Sequence, residues 1–201
     1  MVKAYKVSRD NVTIKFGVEV PASTKAALNL DLKNGDSKWK DAMKSEIDSI
    51  NAYKILRVLK DNEPIPPDYK CIPYHCIYDV KFDGRRKCRL VAGGHMTETP
   101  KEDIFSGVIG MEAVRLGFVL ADLNGLLICA GDVGNAFLYG FTKEKVYIIA
   151  GPEFGPELQG KRMIIERSLY GLKSSAARFH EHLSATLKSL GFKPSKADFD
   201  L

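Results

Sequence analysis

Apolar positions along this chain fall into two periods, and the period decides the element. Trp39, Met43, Ile47 and Ile50 recur at spacings of four, four and three, with Lys40, Asp41, Lys44 and Asp48 between them. That spacing predicts a helix over 38–52, with Ser37 placed to cap it. Residues 53–59 read as a strand, and 61–68, with Pro64, Pro66 and Pro67, as a loop. Residues 71–82 and 86–92 predict two strands joined at Asp83-Gly84, a strong hairpin signal. In the second of them Lys87, Arg89 and Val91 share one face, and Arg86, Cys88, Leu90 and Ala92 the other.

After a long irregular loop over 93–110, a helix is predicted over 112–124. Leu116, Val119, Leu120 and Leu123 form its buried stripe and Gly125 ends it. The run Leu126, Leu127, Ile128, Cys129, Ala130 has the pattern of a short strand buried on both faces. Gly131 closes the run, so Asp132 stands at its mouth, ahead of a turn-prone Gly134-Asn135 and the apolar group Ala136-Phe137-Leu138. Short strands are predicted over 145–150 and 162–166. A last helix, capped by Ser174 or Ser175, runs to residue 190 with the stripe Phe179, Leu183, Leu187 and Leu190. Residues 1–36 are mixed and polar and read as a leader or linker; Ala26, Ala27, Leu28 and Leu30 could form a short helix there. The fold class is α+β, a mostly antiparallel sheet with packed helices on one side and Asp132 at the end of a central strand.

Composition narrows the partners. A length of 201 residues, 45% hydrophobic and 27% charged, can bury a core of ordinary globular kind. A net charge of +5 permits a polyanionic partner without requiring one. No apolar run has the length of a membrane span, and the N-terminus lacks the core of a signal peptide. The four cysteines lack disulfide-like spacing, which suits an intracellular, reduced protein, cytoplasmic or nuclear. Cys71, His75 and Cys76 do not make a zinc site: on a strand His75 and Cys76 point to opposite faces, and no second half-site follows. His180 and His182 lie two apart on a helix and read as surface histidines.

Two features carry candidate chemistry. A single carboxylate at a strand mouth, Asp132, suits Mg²⁺, which is held by one or two carboxylates plus substrate phosphates; the alternative is a surface turn in which Asp132 merely caps. Lys87 and Arg89, side by side on one strand face and directed toward a cleft shared with Asp132, can grip a phosphate chain. The alternative there is a solvated edge strand.

Several segments, in order, resemble one family: W-K-D-A-M-K-S-E (39–46), D-G with K-x-R-L-V-A (83–84, 87–92), Arg115, D-V-G-N-A-F-L (132–138), V-Y-I (146–148) and S-L-Y-G-L-K (168–173). Over about residues 12–201 the chain resembles the reverse transcriptase domain of Ty1/copia-type retrotransposons. The resemblance implies an RNA-directed DNA polymerase with right-hand architecture. Residues 37–201 would be its fingers and partial palm, and 1–36 a leader. It implies Mg²⁺ or Mn²⁺, two ions in the complete enzyme, with RNA template, DNA primer and dNTPs as partners. Asp132 matches the first catalytic aspartate and a metal ligand, helped by the carbonyl of Val133. Phe137 matches the aromatic gate under the incoming sugar. Arg89 matches best the arginine on the triphosphate, with Lys87 beside it. Gly134, Tyr170 and Gly171 lie where the family meets nucleotide and template.

The chain also departs from the family. The second metal-binding element, an Asp-Asp pair in a hairpin, lies beyond Leu201, and Asp198 and Asp200 do not replace it. After L-Y-G-L-K the family has Gln, Ser-Pro-Arg and Trp, where Ser174, Ser175, Ala176, Ala177 and Phe179 stand here. After R-L-V-A it has Lys-Gly-Phe-x-Gln, where Gly93, Gly94, His95 and Thr97 stand. A chain truncated before that hairpin is expected not to polymerise by itself. The alternatives are a non-catalytic retroelement remnant with weak nucleic-acid binding, and an unrelated α+β interaction domain.

Overall fold

In the computed structural model, which describes residues 13–98 and 104–196, a carboxylate from one helix starts the next. Helix α1 (Thr24–Asn34) is capped by the Ser23 hydroxyl, which accepts the Ala26 N–H at 3.2 Å, and ends on Gly35 in the left-handed region. Helix α2 (Lys38–Ala52) has the bounds that the apolar spacing predicts, and Trp39, Met43, Ile47 and Ile50 are all buried. Ser37 does not cap it: its hydroxyl donates to Asp41 at 2.8 Å. Asp31 does so instead, accepting the N–H groups of Trp39 (3.0 Å) and Lys40 (2.8 Å) from a buried position on α1.

Ahead of α1, strands β1 (Thr13–Lys15) and β2 (Val18–Val20) form an antiparallel hairpin. Val18 and Val20, with Ala27 and Leu30, pack on Trp39, Met43, Tyr78, Val80 and Cys88. Residues 13–34, read from the sequence as leader or linker, thus contribute to a core.

Strand β3 (Leu56–Val58) follows α2, and β4 (Lys70–Cys71) follows the proline loop. The Asp83-Gly84 signal holds: β5 (Tyr74–Val80) and β6 (Arg86–Ala92) pair antiparallel with Asp79 opposite Lys87 and Ile77 opposite Arg89, around Gly84 at φ 81°. Cys88, Leu90 and Ala92 are buried; Lys87, Arg89 and Val91 are half-buried on the other face. Strands β7 (Val146–Ile149) and β8 (Arg162–Ile165) complete a four-stranded sheet in the order β3-β8-β7-β4. Its pairings are antiparallel except β4 with β7. The larger core joins this sheet to the hairpin and to α2 through Ile50, Ile55, Leu90, Ile148, Met163 and Leu169.

Several expectations are corrected here. Helix α3 (Met111–Leu123) forms, but Ala121 is its buried residue; Leu116, Val119, Leu120 and Leu123, predicted as its buried stripe, are exposed. Residues 126–130 form no strand, and Leu126, Leu127, Ile128 and Cys129 are exposed. A strand buried on both faces needs ladder partners at its edges and a layer over each face, and none of the described strands pairs with this run. Asp132 therefore does not stand at the end of a central strand. In α4 (Ser175–Ser189), Ala177 and Arg178 are buried, but Leu187 and Leu190, at the far end of the predicted stripe, are exposed. Ser174 precedes α4 without a side-chain cap; its N–H and hydroxyl both donate to Glu144 (3.0 and 2.7 Å). Among the described residues no helix is long and apolar enough to cross a membrane.

Candidate functional site

Strand β6 projects Lys87 and Arg89 from one face, as period two requires. Burial pushes the Lys87 ammonium below its ordinary range, and the neighbouring Arg89, Lys81 and Arg85 push the same way, with Glu46 opposing. Glu46 reaches β6 from α2, and its Oε1 accepts the Leu90 N–H at 2.9 Å. Burial pushes the Glu46 carboxyl up, against the Leu90 N–H and the charges of Lys87 and Arg89. Sequence reasoning missed Glu46 as a site residue. The available signal was its place three residues after Met43 and four before Ile50, a carboxylate on the apolar face of a predicted helix.

The turn over 168–173 lies directly on the end of this strand. The Ala92 N–H donates to the Tyr170 carbonyl at 2.7 Å. Gly171 has φ 91°, and a Cβ there would overlap the Ala92 carbonyl oxygen and come 2.8 Å from Val91 Cγ1; one on Gly94 would overlap the Gly171 carbonyl. Glycine permits both the positive φ and the approach. Below the turn, Leu169 and Leu172 are buried, and the Ser175 hydroxyl donates to the Leu169 carbonyl at 2.7 Å.

Side chains converge on Tyr170. The Arg89 guanidinium lies 5.8 Å from its ring centroid, within cation–π reach. The ring of Phe137 lies 5.3 Å from Tyr170 and 6.3 Å from Phe179. Burial pushes the Tyr170 phenol up, and the Arg89 charge opposes it. Phe137 sits on a short 3-10 turn, Ala136–Tyr139, entered through Asn135 at φ 53° and anchored by buried Leu138. Arg89, Tyr170, Gly171 and Phe137, from three distant stretches of sequence, are thus brought together, with Lys87 on the same strand face as Arg89.

Asp132, Val133 and Gly134 are not built into that cluster by any contact described; all three are exposed. Among the described residues no group of three or more His, Cys, Asp or Glu side chains lies close enough to hold a metal ion. Asp132 supplies one carboxylate, which does not by itself fit a two-ion site.

The site is thus a half-buried cationic strand face with aromatic rings beside it, on an α+β frame. Residues 51–201 match the family described as reverse transcriptase (RNA-dependent DNA polymerase). The chain is also 31% identical, over 193 aligned positions, to the Retrovirus-related Pol polyprotein from transposon TNT 1-94 of Nicotiana tabacum. The alignment covers 89% of this chain and 14% of that polyprotein, so the chain spans a small part of its relative. The chain belongs to the reverse transcriptase family, as a domain of the copia-type retrotransposon kind. No solved structure matches it.

Proposed function

We propose that residues 37–201 supply the fingers and the first part of the palm of an RNA-directed DNA polymerase that copies an RNA template from a DNA primer with dNTPs. The observation that carries this reading is the convergence of Arg89, Tyr170 and Phe137. Arg89 and Lys87 hold the triphosphate by charge. Phe137 lies under the sugar and rejects a 2′-hydroxyl. Tyr170 and Gly171 face the base and the template, and Gly134 lets the backbone turn beside Asp132. Asp132 and the carbonyl of Val133 donate oxygens toward Mg²⁺ or Mn²⁺. Those ions would neutralise charge on the reacting phosphate, and completing their site takes carboxylates beyond the one the described residues supply.

The test is binding of a fluorescent dNTP to the 201-residue protein, with inorganic tripolyphosphate as competitor. Arg89→Ala is expected to weaken binding about tenfold, as loss of a charged contact of roughly 1.5 kcal/mol does. Undiminished affinity in that variant overturns the assignment. In a primer-extension assay on RNA, no extension is expected. Extension that is lost in Asp132→Asn would show the carboxylates present to suffice, and the incomplete-site account to be wrong. Oligonucleotide binding without dNTP binding would favour the non-catalytic remnant.

A further inference from the structure

Two hairpin tips meet at the far end of β6 from the Tyr170 cluster, and both carry an exposed phenylalanine. Phe16 occupies the two-residue turn between β1 and β2; Phe82 precedes Asp83-Gly84 in the turn between β5 and β6. Their rings lie 5.6 Å apart at 84°, edge to face, and remain 55% and 88% exposed. Phe16 lies outside residues 51–201, the part that the family description covers.

The backbone at Phe16 makes the choice of residue informative. Phe16 has φ 49° and Gly17 φ 75°. A tight hairpin turn with both φ positive suits Asn-Gly, and a bulky residue in its first position is strained. An aromatic ring held there at a backbone cost, and left mostly in water, contributes little to the core.

Cations surround the pair. The Lys15 ammonium lies 5.7 Å from the Phe16 centroid and bridges to Asp79 at 2.6 Å. Arg85 bridges to Asp83 at 2.6 Å. Lys81 and Arg85 both act on the charge of Lys87, which also feels Arg89. Residues 79–89 hold five cations and two carboxylates; Arg86 turns to the other face, over the Trp39 ring, and Lys81, Arg85, Lys87 and Arg89 carry positive charge from the tip along the strand.

We propose that Phe16 and Phe82 form a base-stacking platform for single-stranded nucleic acid, continuous with the cationic face of β6. Exposed aromatic faces beside a positive track are how single strands are bound without sequence preference. A duplex hides its base faces, and a lipid surface would use the same aromatics and cations without needing bases. The platform requires neither bound dNTP nor catalysis, so it stands or falls apart from the polymerase reading.

The experiment measures binding of the 201-residue protein to a labelled oligouridylate of about twelve nucleotides, a site of the size such surfaces occupy. It is run beside oligothymidylate, an abasic strand of the same charge, a duplex, and phosphatidylserine vesicles. The base-bearing single strands, RNA and DNA alike, are expected to bind about tenfold tighter than the abasic strand. Phe82→Ser and Phe16→Asn should each bring that preference toward one. Phe16→Asn should also keep or raise the melting temperature, because asparagine fits the turn, which separates lost stacking from lost fold. Arg89→Ala should weaken binding to every strand and keep the preference. Unchanged dNTP affinity in the two Phe variants would separate the platform from the nucleotide site. The proposal is overturned by equal affinity for base-bearing and abasic strands, by a preference that survives both Phe substitutions, by tighter binding to duplex, or by losses seen on vesicles and not on oligonucleotides.

Discussion

Asp31 and Glu46 show how much single buried carboxylates decide. Asp31 is 5% exposed and accepts two of the N–H groups that α2 leaves unpaired at its start. Asp31→Ala takes the acceptor from the buried Trp39 N–H and the part-buried Lys40 N–H and is expected to cost about 1–3 kcal/mol, read by urea denaturation. Asp31→Asn, with one acceptor oxygen in place of two, should fall between. Glu46 predicts a pH dependence. Burial raises its folded pKa above the ordinary 4.5. The unfolded chain therefore ionises first and binds fewer protons as pH rises, so stability falls from pH 4.5 up through the raised folded value and then levels off. Glu46→Gln, which keeps an oxygen for the Leu90 N–H, should flatten that fall. Glu46→Ala, which leaves Leu90 unpaired, should destabilise the fold at every pH. Denaturation curves of the three proteins across pH 4–8, about the range of glutamate titration after burial, check the sign.

At the scale of elements, two packing extremes stand out. The 168–173 turn touches β6 so closely that Gly171→Ala must displace one of them, since its Cβ would overlap the Ala92 carbonyl and the left-handed φ is unfavourable as well. Loss of about 1–3 kcal/mol is expected, of the order of one unmade buried hydrogen bond, together with weaker dNTP binding, because Tyr170 moves with the turn. Helix α3 is the opposite case. Leu116, Leu120 and Leu123 face water, so changing any of them to Gln should alter stability by no more than about 0.5 kcal/mol. Leu169→Ala in the core should cost about 2–5 kcal/mol. Hydrogen exchange should show the same contrast, with fast exchange in α3 and 126–135 and slow exchange in β7 and β8.

Over the whole molecule, the exposed side of α3 and the run from Leu126 to Ile128 add a large apolar surface to a chain whose core lies elsewhere. Surfaces of that kind drive association. The 201-residue protein is expected to self-associate with concentration, and Leu127→Lys with Ile128→Glu to reduce this without lowering the melting temperature. Sedimentation velocity over a concentration series decides it. A variant pair that unfolds the protein would mean that the run is buried after all.

Periodicity made the locally determined parts legible. The bounds of α2, the β5–β6 hairpin at Asp83-Gly84, and the alternation that places Lys87 beside Arg89 follow from the 3.6- and two-residue repeats and one turn signal. Those patterns act over a few residues, so the sequence alone determined them. The motif order also carried Arg89, Tyr170, Gly171 and Phe137 as a group, but their meeting is a long-range fact. It required the Ala92–Tyr170 hydrogen bond and the glycine approach at 94 and 171, which join residues some eighty apart. Adjacency in the sequence points to Ser37 as the cap of α2; Asp31 takes that place because α1 folds back against α2. The clearest divergence is 126–130, where an apolar run predicts burial and the tertiary structure leaves it in water. Apolar character states what a segment gains by being covered. Whether it is covered depends on a partner strand and a packing layer, and those are set by the rest of the fold.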